Sequence, residues 1–127
     1  MLKVVICDDE PIIREYLSEY IQENFKELCV DAVFFDGEQV IEHLRSNRID
    51  ILITDIRMQK KSGIDVLEHI YEHSMGTQVI LITGFQEFEY AQKSLNFHAC
   101  GMLTKPINLS ELSKALKDAK NNIAKNH

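Results

Sequence analysis

Four apolar stretches of this 127-residue chain stop at side chains that could do chemistry together. Residues 4–7 run into Asp8 and Asp9, residues 51–54 into Asp55, residues 78–83 close on Thr83, and residues 100–104 run into Lys105. Gathered at one place, three carboxylates repel each other. A hard divalent cation with oxygen and water ligands, best matched by Mg²⁺, would relieve that repulsion. Such a cation, bridging Asp55 to a phosphoryl donor, would neutralise the charge that blocks attack by a carboxylate. Asp55 could then act as a nucleophile and form an acyl phosphate. Lys105 would supply a point charge to one phosphoryl oxygen and Thr83 a hydroxyl donor to another. Each residue alone is weak evidence, since an acid after a strand is often a helix cap and a lysine before proline is often solvated. The complementary set at four strand ends is what carries weight.

The elements that must position these groups follow from apolar patterning. Short continuous apolar runs bounded by turn residues read as strands buried on both faces, here 4–7, 29–35, 51–54, 78–83 and 100–104. Helical spacing predicts helices from Pro11 to about Phe25, after Asp36-Gly37 on Val40, Ile41 and Leu44, and from Ser62-Gly63 with Ile64, Leu67, Ile70 and Tyr71 turned toward the core. A fourth is predicted from Phe85 to about Leu95, and a last one after Asn108 on Leu109, Leu112, Leu116, Ala119 and Ile123. Strand and helix alternating five times imply an α/β fold with a parallel sheet and helices on both faces. Spacing alone leaves the strand order open. A flavodoxin-like five-stranded sheet of order 2-1-3-4-5 is a common solution, and it places its switch point between the strands ending in Asp8-Asp9 and Asp55.

Other features read as structural. Asp36 with Gln39 three residues later is a capping-box pair, so Asp36 is a cap rather than a catalytic group. His69 to His73 spell H-x-x-E-H without an obvious third ligand and read as a solvated helix face. Lys114, Lys117 and Lys120 recur at helical spacing as another solvated face. Twenty acidic against fourteen basic residues, a net charge of -6, argue against direct nucleic-acid binding. Cys7, Cys29 and Cys100 read as small buried hydrophobes in a reducing compartment. The first apolar run is too short for a signal peptide and none spans a membrane, so the expected location is cytoplasmic. With 45% hydrophobic residues, the chain fits one domain with one core.

The motifs Cys7-Asp8-Asp9-Glu10, Thr54-Asp55-Ile56-Arg57-Met58 with Gly63 beyond it, Thr83-Gly84 and Lys105-Pro106 resemble those of the receiver domain of bacterial two-component response regulators, over nearly the whole chain. The resemblance implies a single receiver domain over residues 1–127. It implies that Asp55 accepts a phosphoryl group from a sensor histidine kinase, and that Asp9, Asp55 and the backbone carbonyl of Arg57 bind Mg²⁺ with Asp8 supporting through water. Thr83 and Lys105 would contact the phosphoryl oxygens. Such a domain is not a turnover enzyme and catalyses only its own phosphoryl transfer and dephosphorylation. Arg57 and Phe85 would flank the phosphoryl group and limit water access. The fourth helix, fifth strand and last helix would form the face that changes, regulates an output domain or partner, and offers a homodimer contact. Phe85 and Phe88-Glu89-Tyr90-Ala91 resemble the subgroup that precedes AraC-type DNA-binding domains, so a longer protein would carry such an output domain. The same aromatics also read simply as core packing.

Three positions depart from the family's pattern. Met102 stands where a tyrosine or phenylalanine usually precedes the lysine, Gln59 where proline is common, and His98 where this subgroup tends to have glycine. Met102 fills the aromatic's gap without a ring to flip, which leaves a second reading: a constitutive, unswitched receiver-like protein-binding module. A phosphatase with an aspartyl nucleophile would carry D-x-D after its first strand, where this chain has Asp8-Asp9.

Overall fold

The computed structural model describes residues 1–73, 75–84, 92 and 97–126. Its elements run β1 (Leu2–Cys7), α1 (Pro11–Asn24), β2 (Leu28–Phe34), α2 (Gly37–Leu44), β3 (Ile51–Asp55), α3 (Gly63–Glu72), β4 (Gln78–Thr83), β5 (Gly101–Thr104) and α4 (Leu109–Lys125). All strand pairs are parallel, in the order β2-β1-β3-β4-β5, as expected. The helix predicted from Phe85 to Leu95, with its aromatic set and Asn96 after it, lies outside the described residues apart from Gln92.

Successive side chains of a strand point to opposite faces, so each central strand feeds two cores. Val4 and Ile6 of β1, Ile51 and Ile53 of β3, and Ile80 and Ile82 of β4 pack with Leu17 and Ile21 of α1 and Leu112 and Leu116 of α4. Val5, Cys7, Leu52, Val79 and Leu81 meet α2 and α3 through Val40, Leu44, Ile64 and Leu67 on the other face. Each fully buried aliphatic side chain contributes about 1.5–3 kcal/mol. The consequence for the site is a rigid sheet from whose carboxyl ends the loops project.

The helix starts are written locally. Pro11 occupies the first turn of α1, where its missing N–H costs nothing. Asp36 and Gln39 form the expected capping box of α2, Ser62 and Asp65 form another at α3, and the Asn108 side chain accepts from the Glu111 N–H at α4. Among the described residues no helix is long and apolar enough to cross a membrane.

Two expectations are corrected. Tyr71 is exposed: it stacks on His98 with ring centroids 5.3 Å apart and meets Phe97 edge-on, because α3 buries Val66 in its place. Cys29 is exposed, since it occupies an outward position of the edge strand β2, whereas Cys7 is buried and Cys100 partly so. His98 takes φ 63°, the left-handed region that glycine enters without strain. Its exposed position agrees with a surface turn residue. His69 and His73 pack ring against ring at 4.2 Å on α3, with one His73 ring nitrogen 2.8 Å from the His69 carbonyl oxygen.

Candidate functional site

Asp55 is the last residue of β3, in register with Ile82 of β4, and is almost fully buried. Its Oδ1 accepts from the Ile56 N–H at 2.8 Å, and Ile56 also donates to the Ile82 carbonyl at 3.1 Å. The other oxygen, Oδ2, accepts from Lys105 Nζ at 3.2 Å. Lys105 directly follows β5, and its backbone N–H donates to the Thr83 carbonyl at 3.0 Å, tying the ends of β4 and β5. The same ammonium lies 3.4 Å from Asp8 Oδ2 and 2.9 Å from Glu10 Oε1. One cation therefore serves three acids from two strand ends. Thr83 is buried, and its hydroxyl donates to the Gly84 carbonyl at 2.8 Å. Arg57 is exposed, two residues beyond Asp55.

Asp8 is wholly buried, with Oδ1 accepting from the Glu10 N–H at 2.8 Å. Among the described residues its Oδ2 has no hydrogen-bond partner: Lys105 is within ion-pair distance but not in hydrogen-bonding geometry. A buried carboxylate oxygen left in that state is costly. Burial accordingly pushes the Asp8 carboxyl up to about 6, against the Glu10 N–H and Lys105. Burial also raises Asp55, outweighing the Lys105 charge and hydrogen bonds. Burial would lower Lys105, but the Glu10 hydrogen bond and the Asp55 and Asp8 charges outweigh it and hold the ammonium above its usual range.

Carboxylate oxygens of Asp8, Asp9 and Glu10 lie within 4.8 Å of one another. Asp8 contributes an unpartnered buried oxygen as well, and three carboxylates so placed fit a hard divalent cation that takes oxygen ligands and water. Glu10 was missed as a member of the site. The signal was its place beside the acidic pair, but acids after a strand are ordinary helix-start residues. Arg14 was also missed: its Nη1 donates to the Asp8 backbone carbonyl at 2.7 Å, from one turn into α1. Met102 is half-buried, in register with Leu81, and packs on the α2–α3 side of the sheet.

Gly63 has no room for a side chain. An added Cβ would lie 2.2 Å from the Asp55 carbonyl oxygen and 3.2 Å from the Ile56 Cα, both backbone atoms that cannot swing away. The Gly63 N–H also donates to the Ile56 carbonyl at 2.9 Å. Gly63→Ala is expected to lower unfolding free energy by about 3 kcal/mol, the upper range for overpacking, despite alanine's better helix propensity. Denaturant unfolding measures this, and a variant as stable as the wild type would show that β3 and α3 part without cost.

The fold is shared with known proteins. A response regulatory protein of Staphylococcus epidermidis is 36% identical over 91% of this chain and 45% of its own length. The chain thus spans less than half the length of the curated relatives it matches. The receiver domain of AraT, a response regulator from Geobacillus stearothermophilus, superposes with a TM-score of 0.85 at 32% identity, covering 99% of this chain and 98% of that one. A two-component transcriptional regulator AraC from Clostridium phytofermentans superposes with a TM-score of 0.82 at 30% identity, covering 98% and 97%. The family model for the response regulator receiver domain matches residues 4–117, and the chain belongs to that family of phosphorylation-dependent signalling domains.

Proposed function

We propose that residues 1–127 form one receiver domain in which Asp55 takes a phosphoryl group from a sensor histidine kinase and thereby switches an output domain or partner. The observation that carries this reading is the sharing of one ammonium, Lys105, between Asp55 Oδ2 at 3.2 Å and Asp8 Oδ2 at 3.4 Å at neighbouring strand ends. Ile56 holds Oδ1, which leaves Oδ2 as the attacking oxygen. Oδ2 bonds to phosphorus as the P–N bond of the phosphohistidine breaks, and that electron pair leaves with the imidazole. Lys105 exchanges its contact with Oδ2 for a phosphoryl oxygen, and Thr83 turns its hydroxyl from the Gly84 carbonyl to another. Asp8, Asp9, Asp55 and the Arg57 carbonyl would hold Mg²⁺, which supplies charge neutralisation between the acids and the incoming phosphoryl group.

The readout begins where Lys105 joins β5. A phosphoryl group brings a charge of about -1.5 to -2. Shifting a two-state equilibrium from 1:99 to 99:1 requires roughly 5.5 kcal/mol of differential interaction, so a few charge-assisted contacts in a partly dry pocket approach the required scale. The face carrying β5 and α4 would then engage the output domain or a second copy. By likeness to the transcriptional regulator AraC, that output would be control of transcription, which we assign to a separate DNA-binding domain of a cytoplasmic protein. The test is incubation of the wild type with a small phosphodonor and Mg²⁺, followed by peptide mapping. One phosphoryl group per chain on the Asp55 peptide is expected, and labelling elsewhere, or none, would overturn the reading.

A further inference from the structure

A helix cap needs only one oxygen, yet both oxygens of Asp36 are committed beyond capping. Oδ2 accepts from the Glu38 N–H at 2.9 Å, which is the cap, and from the Lys61 N–H at 3.3 Å. Oδ1 accepts from the Lys60 N–H at 2.9 Å, twenty-four residues away in sequence. Burial would raise this carboxyl, but the N–H groups of Lys60, Glu38 and Lys61 outweigh it and keep the group charged. Next to it, the Gly37 N–H donates to the Lys61 carbonyl at 3.1 Å, and a Cβ on Gly37 would lie 2.4 Å from that oxygen. The start of α2 and the loop after Asp55 thus meet through the Gly37 backbone and the Asp36 side chain.

That loop, residues 56–62, has two further ties. Ile56 is bonded to Asp55, Ile82 and Gly63, and the buried Cys7 thiol donates to Met58 Sδ at 3.3 Å. Arg57 lies between these two points, and from Met58 the chain runs on through residues 59–61 to α3. Gln59 does not restrict the backbone as proline would, so the far end of the loop depends on Asp36 for its course. We infer that Asp36 is a positioning residue for the cation site: its carboxylate grips the Lys60 and Lys61 amides and so holds the Arg57 carbonyl in place for Mg²⁺. The inference rests on the ligand set proposed above.

Asp36→Ser separates the two jobs. Serine still caps α2, but its hydroxyl is too short to reach Lys60 as well. Gln39→Ala is the control, because Gln39 accepts from the Phe35 and Asp36 N–H groups and its loss weakens the cap while leaving the grip. With Mg²⁺ alone as titrant in calorimetry, Asp36→Ser is expected to bind about 10-fold more weakly, the scale of losing an outer support of a metal site. Gln39→Ala should keep wild-type affinity, and only Asp36→Ser should speed hydrogen exchange at the Lys60 and Lys61 amides. Wild-type affinity in Asp36→Ser, or an equal loss in Gln39→Ala, overturns the inference and leaves the ligand set standing. A wild type that binds no Mg²⁺ overturns the ligand set itself. If Asp36→Ser does not fold, the wild type decides: a slowly exchanging Lys60 amide supports the grip, and one exchanging like open chain overturns it.

Discussion

Asp55→Asn is expected to abolish phosphoryl uptake and at the same time to make the protein more stable. The first effect follows from chemistry, since a neutral amide is no nucleophile toward phosphorus. The second follows from burial: desolvation is the largest influence on Asp55 and raises its pKa despite Lys105, so the fold disfavours the charge it carries. A carboxyl raised in the folded state stabilises the fold below its unfolded pKa, and that contribution is lost as pH rises through the folded pKa. Asparagine keeps the acceptor for the Ile56 N–H and carries no charge. At pH 8 without Mg²⁺ the variant should gain about 1 kcal/mol or more, beyond the roughly 0.5 kcal/mol scatter of inconsequential substitutions. The gain should shrink as pH falls toward 4, because burial makes Asp55 in the folded wild type take up its proton before the unfolded chain does. Denaturant melts at the two pH values measure this. A less stable variant at pH 8 would mean that the Lys105 pair outweighs desolvation.

Lys105→Met is expected to separate cation binding from phosphoryl transfer. Methionine has similar length and apolar bulk but no charge, so Asp8, Asp55 and Glu10 lose the ammonium they share. Mg²⁺ should then bind more tightly, because a competing positive charge 3.4 Å from Asp8 and 3.2 Å from Asp55 is gone. Phosphoryl uptake should nevertheless fall by about 10²- to 10³-fold, the scale for removing one preorganised group that neutralises developing charge. Mg²⁺ titration and the uptake rate with a small phosphodonor read the two effects separately. Parallel change in both would show that Lys105 acts only through the cation site.

The sheet was legible in the sequence because each buried strand is a continuous apolar run closed by a turn or a charge. Asp8, Asp55 and Lys105 were legible as the charges that close those runs, at the carboxyl ends of β1, β3 and β5 on one side of a parallel sheet. What the sequence hid was of two kinds. The grip of Asp36 on Lys60 and Lys61 depends on partners twenty-four and twenty-five residues away, and nothing local to Asp36 distinguishes it from any capping aspartate. Cys29 and Tyr71 were misplaced because apolar pattern says which residues tend inward, not which strand lies at the edge or which flank of a helix is left uncovered.

The backbone bond from the Lys105 N–H to the Thr83 carbonyl makes the two strand ends a single yoke. Under the proposed function, a phosphoryl group that drew in one of these residues would drag the other, because they are joined by that backbone bond. Thr83 leads out of β4 while Lys105 leads toward α4, so one displacement is delivered to both connections at once. Transmission of that kind would be mechanical and would need no aromatic ring at Met102, the flexible apolar side chain that packs on the α2–α3 side of β5.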